Sequence, residues 1–425
     1  MKRSFIFSSN SIRLFWKNWI IVIAILAVVL YILPILWQKS ERFDPSTDYR
    51  LPYSLSYDYW MFKRWSKYAC SEYPVVIIGD SVMWGQYVAM DQTLSHYLNE
   101  KANAEGIQET QDSRHKTQDA RQGEKDSSSR SRLKSGIQLE SGVLGLESTD
   151  ESEVSSLKSV NMFANLGVDG THPAAILGLV RYYGKAVSSK GVILHLNFLW
   201  MSSERHDLSG EEEFRFNHPK LVPQFIPDLA CYRPSFAQKI GVVMERSIPF
   251  FSWISHIKTN YFENMDLQDW TIQNPYKNPL KAITLKVPAP ENRPKSKPVS
   301  WTERGMKEQD FPWVQVEESF QWDSFKKAIK ILEARRNKVF VILGPFNTYI
   351  LTEESLNRYN IMKGKMEKWL EEEGVSYRSI PELPSEYYAD ASHPLREGYA
   401  QIAQELFETE SFQKWMENLK SVAAE

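Results

Sequence analysis

The longest apolar stretch of the chain lies near its start and predicts a membrane-spanning helix. Asn18 to Trp37 (NWIIVIAILAVVLYILPILW) carries no charge, and about twenty apolar residues suffice to cross a bilayer as one helix. The residues before it carry only positive charges, whereas the charges after it are mixed. The positive-inside rule therefore predicts a cytoplasmic tail at 1–17, an anchor at 18–38 and an extracytoplasmic remainder. A cleaved signal peptide is the alternative, but LPILWQKSE offers no small-x-small cleavage site.

Beyond the anchor, short β-branched runs alternate with stretches of helical spacing. Strands are predicted at 75–78, at the start of 160–170, and at 192–202, 339–347 and 375–380. Helices are predicted at 82–99, 172–187, 235–262, 322–338, 356–374 and 397–408. This alternation is typical of parallel strands joined by right-handed crossovers. We therefore expect an α/β fold, with a central, mainly parallel sheet in a three-layer α/β/α arrangement.

The pattern also divides the chain into a stalk and one domain with two insertions. Residues 39–72 are rich in Pro, Tyr and Asp and are predicted to be a stalk before a single domain at 73–425. Residues 101–159 have almost no aromatic or β-branched side chains, which predicts a disordered insertion that acts as a solvated tether. The second insertion, 204–310, is rich in aromatic residues. Its segment PFFSWISHIKTNYF (249–262) fits core, lid or membrane contact, and the sequence favours core or lid.

Composition narrows the range of partners. The formal net charge of −2 gives no electrostatic case for nucleic-acid binding. No Cys/His cluster has metal-ligand spacing, so neither a metal nor a cofactor is expected. The two cysteines, Cys70 and Cys231, could pair in an oxidising compartment or remain as free buried thiols.

Ser81 is the first candidate for chemistry. It follows the strand Val75–Ile78 through Gly79 and Asp80, at the point where a helix is predicted to begin. A serine at such a turn places its hydroxyl at the open end of a sheet, beside helix N-terminal amides that favour developing negative charge. The alternative interpretation is structural, with Ser81 as a helix cap and Gly79 as a turn residue.

A second candidate lies near the end of the chain, in YYADASHPLREGYAQIA. Asp390 and His393 are three residues apart, just before a predicted helix. At that spacing a carboxylate can hydrogen-bond one ring nitrogen of the histidine, while the other nitrogen faces a serine hydroxyl. This combination of base and orienting group is what nucleophilic acyl transfer needs. A capping aspartate beside a surface histidine is the alternative.

Taken together, these motifs resemble the SGNH (GDSL-type) hydrolase superfamily. Gly-Asp-Ser after an early strand, NLGVDG after the second, an asparagine in the third, and a terminal D-x-x-H-P occur in family order between residues 73 and 407. The resemblance implies a flavodoxin-like sheet and a catalytic triad. Ser81 would be the nucleophile, His393 the general base and Asp390 the residue that orients it.

The same resemblance implies an oxyanion hole. Its donors would be the backbone N–H of Ser81, the backbone N–H of Gly170 and the side-chain amide of Asn197, with Gly167 as a less favoured alternative to Gly170. A serine hydrolase typically loses about 100–1000-fold in rate when one such donor is removed. Asn197 could instead cap the turn after its strand.

The third motif departs from the family pattern. The family usually has G-x-N-D here, whereas this chain has His195-Leu196-Asn197-Phe198. The loss of the glycine and the aspartate suggests a substrate pocket unlike that of ordinary secreted esterases. His195 has the same strand facing as Asn197 and could touch the pocket, although a buried structural histidine is the favoured interpretation.

Three functions remain open. The first is a serine-dependent O-acyl or O-acetyl esterase that acts on an envelope glycan or a small ester. The second is an O-acyltransferase for an extracytoplasmic polysaccharide, working with a multi-spanning membrane acyltransferase. An anchored SGNH domain is similar to the accessory proteins of alginate O-acetylation and teichoic acid D-alanylation. The third is a non-catalytic binding or scaffold module, which the intact Ser81, Asp390 and His393 disfavour.

Overall fold

The computed structural model describes residues 15–104 and 161–422. Its strands are β1 (Val75–Ile78), β2 (Phe163–Asn165), β3 (Gly191–Leu196), β4 (Lys338–Leu343) and β5 (Ser376–Ser379). Its helices are α1 (Trp16–Ser40), α2 (Tyr59–Glu72), α3 (Ser81–Trp84), α4 (94–104), α5 (Pro173–Gly178, continued by a π-helical turn, Leu179–Tyr183), α6 (Glu204–Asp207), α7 (Phe236–Ser247), α8 (Pro249–Tyr261), α9 (Leu267–Gln273), α10 (Pro279–Ala282), α11 (Phe320–Ala334), α12 (Glu353–Glu372), α13 (Arg396–Glu408) and α14 (Glu410–Val422).

The strands form one parallel sheet in the order β2-β1-β3-β4-β5. Val75 aligns with Phe163 on one side and with Gly191 on the other, and Gly191 aligns in turn with Lys338. The predicted α/β class with a parallel sheet is therefore confirmed. Because the chain order reverses between β1 and β3, the loops after these two strands diverge and leave a crevice at their carboxyl ends. Ser81 and Asn197 both lie in these loops.

The predicted helix at 82–99 is wrong as a single element. The short α3 ends at Gly85, whose φ of +86° lies in the left-handed region that side-chain-bearing residues avoid. A Cβ there would also lie 2.8 Å from Thr93 Cγ2. The chain then forms a loop before α4, and this loop carries Tyr87 to the candidate site.

Residues 39–72 do not form the predicted stalk. They contain α2, whose Phe62 and Trp65 are buried in the main core with the strands. The Trp65 Nε1–H donates to the backbone oxygen of Asn165 on β2 at 2.8 Å. The apolar positions of α2 recur at helical spacing, which a composition-based prediction of a stalk overlooked.

Helix α1 is long and apolar enough to cross a membrane, with a mean hydropathy of 3.0 over its best window. It contains a π-helical turn at Val28–Ile32. Pro34 follows this turn and has no N–H to donate to the carbonyl of Leu30, which is a common cause of such a turn. Residues 1–14 of the predicted cytoplasmic tail lie outside the described residues.

The segment 204–310 is helical in part and contributes to the core. The predicted helix at 235–262 divides into α7 and α8, because proline disfavours helical conformation in the residue before it and Pro249 begins the new helix. Trp253 of α8 and Trp301 are buried with the sheet residues. Part of α8 therefore lies in the core, which is one of the two interpretations that the sequence favours for 249–262.

Two smaller expectations can be compared with the structure. Residues 101–104 continue α4, so the first residues of the predicted disordered insertion are helical, and 105–159 lie outside the described residues. Cys70 and Cys231 are both free thiols. Burial raises the pKa of the Cys70 thiol to about 11, which keeps it protonated at neutral pH.

Candidate active site

Ser81 begins α3 directly beyond the carboxyl end of β1. Asp80 caps this helix, with its Oδ1 accepting the N–H of Val82 at 2.9 Å. Gly79 precedes it where a Cβ would lie 2.4 Å from Met83 Cγ, so a larger residue would push the helix away from the strand. The turn is thus compact, and Ser81 is buried to 6% exposure.

Asp390, His393 and Ser81 form a continuous chain of hydrogen bonds. His393 Nδ1 lies 2.9 Å from Asp390 Oδ1 and 3.0 Å from Oδ2. His393 Nε2 lies 2.8 Å from Ser81 Oγ. These distances suit a base that takes the serine proton while a carboxylate fixes its tautomer. The structure therefore brings the predicted nucleophile, base and orienting residue together.

The loop that carries Asp390 and His393 is fixed at both ends. The carboxylate of Asp390 accepts the backbone N–H groups of Ser392 at 2.9 Å and His393 at 3.0 Å. Asn347, after β4, donates its side-chain amide to the backbone oxygen of Asp390 at 3.2 Å. On the other side, the Tyr399 hydroxyl donates to the backbone oxygen of Val82. Helix α13 is thereby tied to the helix that begins with Ser81.

The electrostatics favour a protonated imidazole. Burial alone would lower the pKa of His393, but the neighbouring Asp390 carboxylate outweighs burial, and the pKa is raised above its ordinary value of 6.5. Burial would raise the pKa of Asp390, yet its interactions with His393 and with the loop amides lower it. The pair therefore stabilises the imidazolium that forms when the serine proton is transferred.

Asn197, at the end of β3, lies beside this chain with its amide already engaged. Its Nδ2 donates to Asp80 Oδ2 at 2.8 Å and to Ser392 Oγ at 3.1 Å, and its Oδ1 accepts the N–H of Leu199. Asn197 is thus at the site, as predicted, and it also caps the following turn. Donation to an oxyanion would replace the contact with the Ser392 hydroxyl.

The two glycines of NLGVDG differ in how their amides are used. The N–H of Gly167 donates to Asn165 Oδ1 at 2.8 Å. Among residues 15–104 and 161–422, no acceptor is found for the N–H of Gly170 or of Ser81. Gly170 also has a φ of +71° and would bring a Cβ to 2.8 Å from Asn217 Nδ2. Of the two, Gly170 therefore has the amide that is free to bind an oxyanion.

Asp80 is a site residue whose role the sequence prediction missed. It is buried, and besides Asn197 its Oδ2 accepts the Trp200 Nε1–H at 3.0 Å, while its Oδ1 lies 3.4 Å from His195 Nδ1. Burial would raise its pKa, but His195, His393 and Asn197 lower it. His195 is buried and also contacts the backbone oxygen of Gly344 at 2.9 Å, in keeping with a structural role.

Several residues that the sequence did not predict lie near the site. Tyr87 packs edge-on against the His393 ring, with centroids 5.3 Å apart. Nearby, Arg50 donates to the backbone oxygens of Trp84 and Val88 at 3.0 and 3.1 Å and thereby fixes the loop after α3. Lys295 pairs with Asp169 at 3.0 Å. Arg50, Trp84 and Lys295 also line a cavity of about 680 Å³.

The turn that carries Gly170 is held from a distant part of the chain. The Nε2 of His218 lies 2.8 Å from the backbone oxygen of Asp169, and its Nδ1 lies 3.0 Å from the Tyr59 hydroxyl. Burial lowers the pKa of His218 to about 3, so the ring is neutral and can donate through Nε2 while it accepts through Nδ1. No local motif in the sequence marks this histidine.

No protein-family model matches this chain, and a search of curated proteins found no match either.

Proposed function

We propose that this chain is a serine-dependent ester hydrolase of the SGNH type, with a three-layer α/β/α domain and an acyl-enzyme on Ser81. The observation that carries the proposal is the hydrogen-bonded chain from Asp390 through His393 to Ser81, at the carboxyl end of the sheet. The strand order supports it, since open parallel sheets bind ligands where the order reverses.

In the first half of the reaction, Ser81 Oγ attacks the carbonyl carbon of an ester. His393 Nε2 takes the hydroxyl proton as the new C–O bond forms, and Asp390 stabilises the resulting imidazolium. The negative charge moves to the carbonyl oxygen, towards the free N–H groups of Ser81 and Gly170. Asn197 would supply a third donor by releasing the Ser392 hydroxyl.

Collapse of this intermediate breaks the bond to the leaving alcohol, which takes its proton from His393. An acyl group remains on Ser81. Water, activated by the now neutral His393, then attacks the acyl carbonyl and restores the serine. An O-acyltransferase would use the same residues with a sugar hydroxyl in place of water.

We further propose that α1 is an uncleaved anchor, with the N-terminus cytoplasmic and the domain on the far side of the membrane, where an acylated envelope glycan or small ester is the substrate. The packing of the end of α1 supports retention of the anchor. Trp37 lies edge-on against Trp253 with centroids 5.5 Å apart, and the buried Glu41 pairs with Arg64 at 2.6 Å. Cleavage in this region would remove contacts that the domain uses.

The test is labelling of the full-length protein in detergent with a fluorophosphonate probe, together with 4-nitrophenyl acetate hydrolysis. We expect wild type to be labelled, Ser81→Ala to be unlabelled and inactive, and a control, Ser66→Ala on α2, to behave as wild type. Absence of labelling in the wild type would contradict the catalytic proposal. Acyl transfer to oligosaccharides in excess of hydrolysis would contradict the esterase assignment in favour of the transferase.

A further inference from the structure

Helix α7 (Phe236–Ser247) is oriented unlike an ordinary surface helix. Two of its charged side chains turn inward, where Glu245 pairs with Lys220 at 2.8 Å and Arg246 donates to the backbone oxygen of Val222 at 2.7 Å, whereas Lys239 pairs with Asp228 and lies over the Phe225 ring. Val242 is buried, but four other apolar side chains recur at helical spacing on the outer face, where Phe236 is 72% exposed and Ile240, Val243 and Met244 are 37–39% exposed. A helix in water would be expected to present the opposite faces.

The apolar face extends beyond the helix. Phe225 lies edge-on against Phe236, with ring centroids 6.1 Å apart, and the adjacent Ile226 is 89% exposed. We call Phe225, Ile226, Phe236, Ile240, Val243 and Met244 the outer apolar face. A contiguous patch of this kind is a mark of an interaction surface rather than of scattered surface apolar residues.

The position of α8 relates this face to the anchor. Two residues of α8 contact the end of α1: Tyr261, at its C-terminus, donates a hydrogen bond to Glu41, and Trp253, in its second turn, packs on Trp37. Helix α8 also packs against the π-helical turn, Val28–Ile32, inside the apolar stretch of α1. Trp253 and later residues of α8 make the contacts with Trp37 and Glu41. We therefore place the residues of α8 before Trp253 towards the π-helical turn of α1.

The face of α1 that meets the domain confirms this depth. Leu30, Pro34, Trp37 and Gln38 are buried or half-buried at helical spacing, and Glu41, directly after the helix, is buried as well. At about 1.5 Å per residue, Leu30 lies roughly 10 Å along the axis from Trp37. Amphipathic helices at a bilayer surface bury their apolar face by about 5–10 Å. With the bilayer surface taken at the level of Trp37, the domain therefore meets α1 at the depth of an interfacial helix.

We propose that the outer apolar face is inserted in the interfacial layer of the bilayer that α1 spans, so that the domain is held on the membrane surface by α7 as well as by its anchor. This inference rests on the proposed anchoring of α1. A lipid surface is the occupant that this arrangement favours, because α7 leads directly into α8, and α8 packs on the apolar part of α1.

The insertion would also bear on the active site. Arg246 of α7 binds the loop 217–222 through the backbone oxygen of Val222, and His218 of the same loop holds the turn of Gly170 through Asp169. The face and the oxyanion turn thus share one supporting loop. Lipid contact at α7 would fix the orientation of the site relative to the bilayer.

The test uses the full-length protein in lipid nanodiscs, with Cys70→Ser and Cys231→Ser as background. An environment-sensitive fluorophore is attached through Val243→Cys on the outer apolar face, Ile361→Cys on α12 as an exposed apolar control, or Ile23→Cys on α1. Quenching is measured with nitroxide-labelled lipid and with aqueous iodide. Fluorophosphonate labelling of each variant, compared with the unsubstituted protein, serves as the check of folding.

We expect the Val243 label to lose most of its fluorescence to the nitroxide lipid, as the Ile23 label does, and the Ile361 label to be quenched mainly by iodide. A Val243 label open to iodide, with Ile23 in lipid, would overturn this inference alone. A Val243 label shielded from both quenchers would overturn it in favour of a protein partner or second copy. An Ile23 label open to iodide would overturn the anchor as well, whereas the serine chemistry is judged by the probe.

Discussion

The clusters around the buried histidines His393 and His256 both contain carboxylates, and they differ in what completes each cluster. His393 contacts Asp390 through Nδ1 and the Ser81 hydroxyl through Nε2. His256 on α8 contacts Asp58 at 2.6 Å through Nδ1 and Glu41 at 2.9 Å through Nε2. In the first cluster one nitrogen faces a serine hydroxyl, whereas in the second both nitrogens face carboxylates.

The surroundings reinforce this difference. Glu41 also receives Arg64 at 2.6 Å and the Tyr261 hydroxyl, and the His256 ring stacks on Trp60 with centroids 4.2 Å apart. The cluster of His256 is closed and joins the end of α1 to α2 and α8. The cluster of His393 lies in the loops at the carboxyl ends of the strands. The partner of the second nitrogen, more than burial or charge, separates the histidine that we propose to be catalytic from the structural one.

The largest expected effect comes from replacing one histidine at a time. His393→Gln should lower kcat/KM for 4-nitrophenyl acetate by about 10⁴-fold or more, because the serine loses its base. The unfolding midpoint should stay near that of wild type. His256→Gln should leave kcat/KM of the folded protein within a few-fold. Comparable losses of activity in both variants would contradict the proposal that His393 is catalytic and His256 structural.

His256→Gln should instead lower the free energy of unfolding by about 3–5 kcal/mol, because Asp58 and Glu41 would keep their buried charges without the imidazolium. Denaturant unfolding in detergent micelles measures this loss. The matched control is His96→Gln, whose half-exposed pair with Asp48 should contribute about 0–1 kcal/mol. Equal losses in the two variants would show that the His256 cluster has no special structural role.

Asn197→Ala should reduce kcat by about 100–1000-fold with a smaller change in KM, because an oxyanion donor acts mainly in the transition state. Asn337→Ala serves as control, since Asn337 is a buried asparagine that donates to the backbone oxygens of Val187 and Leu332, on a different loop from the site. A loss of less than about tenfold would indicate that Asn197 only holds Asp80 in place.

Raising the pH should affect the two clusters in opposite ways. The base must be neutral to accept the serine proton, so activity should rise with pH through a His393 pKa that lies above 6.5. Burial lowers the pKa of His256, but Asp58 and Glu41 outweigh it and raise the value to about 9.

Since the folded pKa of His256 is the higher one, its contribution to stability is complete below pH 6.5 and is lost as the pH rises towards about 9. A pH–rate profile measures how activity depends on pH (the activity limb). Thermal unfolding over the same pH range measures how stability depends on pH (the stability limb). The stability limb should shrink in His256→Gln to the part that His393 contributes through its own raised pKa, whereas the activity limb should remain. An undiminished stability limb in that variant would assign it to groups other than His256.

The parts of the site that could be predicted are those marked by short motifs. Ser81 follows a β-branched strand, and Asp390 lies three residues before His393, so each group is recognisable from its neighbours. The contact between them could not be read from local pattern, because Ser81 and His393 are 312 positions apart. It is produced by the parallel sheet, which collects the carboxyl ends of distant strands at one edge.

The sequence by itself determined the strands, most of the helices and the long apolar helix α1, because a run or a periodic pattern of apolar residues is visible among neighbouring residues. Tertiary structure alone decided that α2 belongs to the core, that His218 supports the turn of Gly170, and that α7 turns Glu245 and Arg246 inward. These features depend on partners far apart in the chain. A helix has the same hydrophobic period whichever face meets the domain, so only packing fixes its orientation.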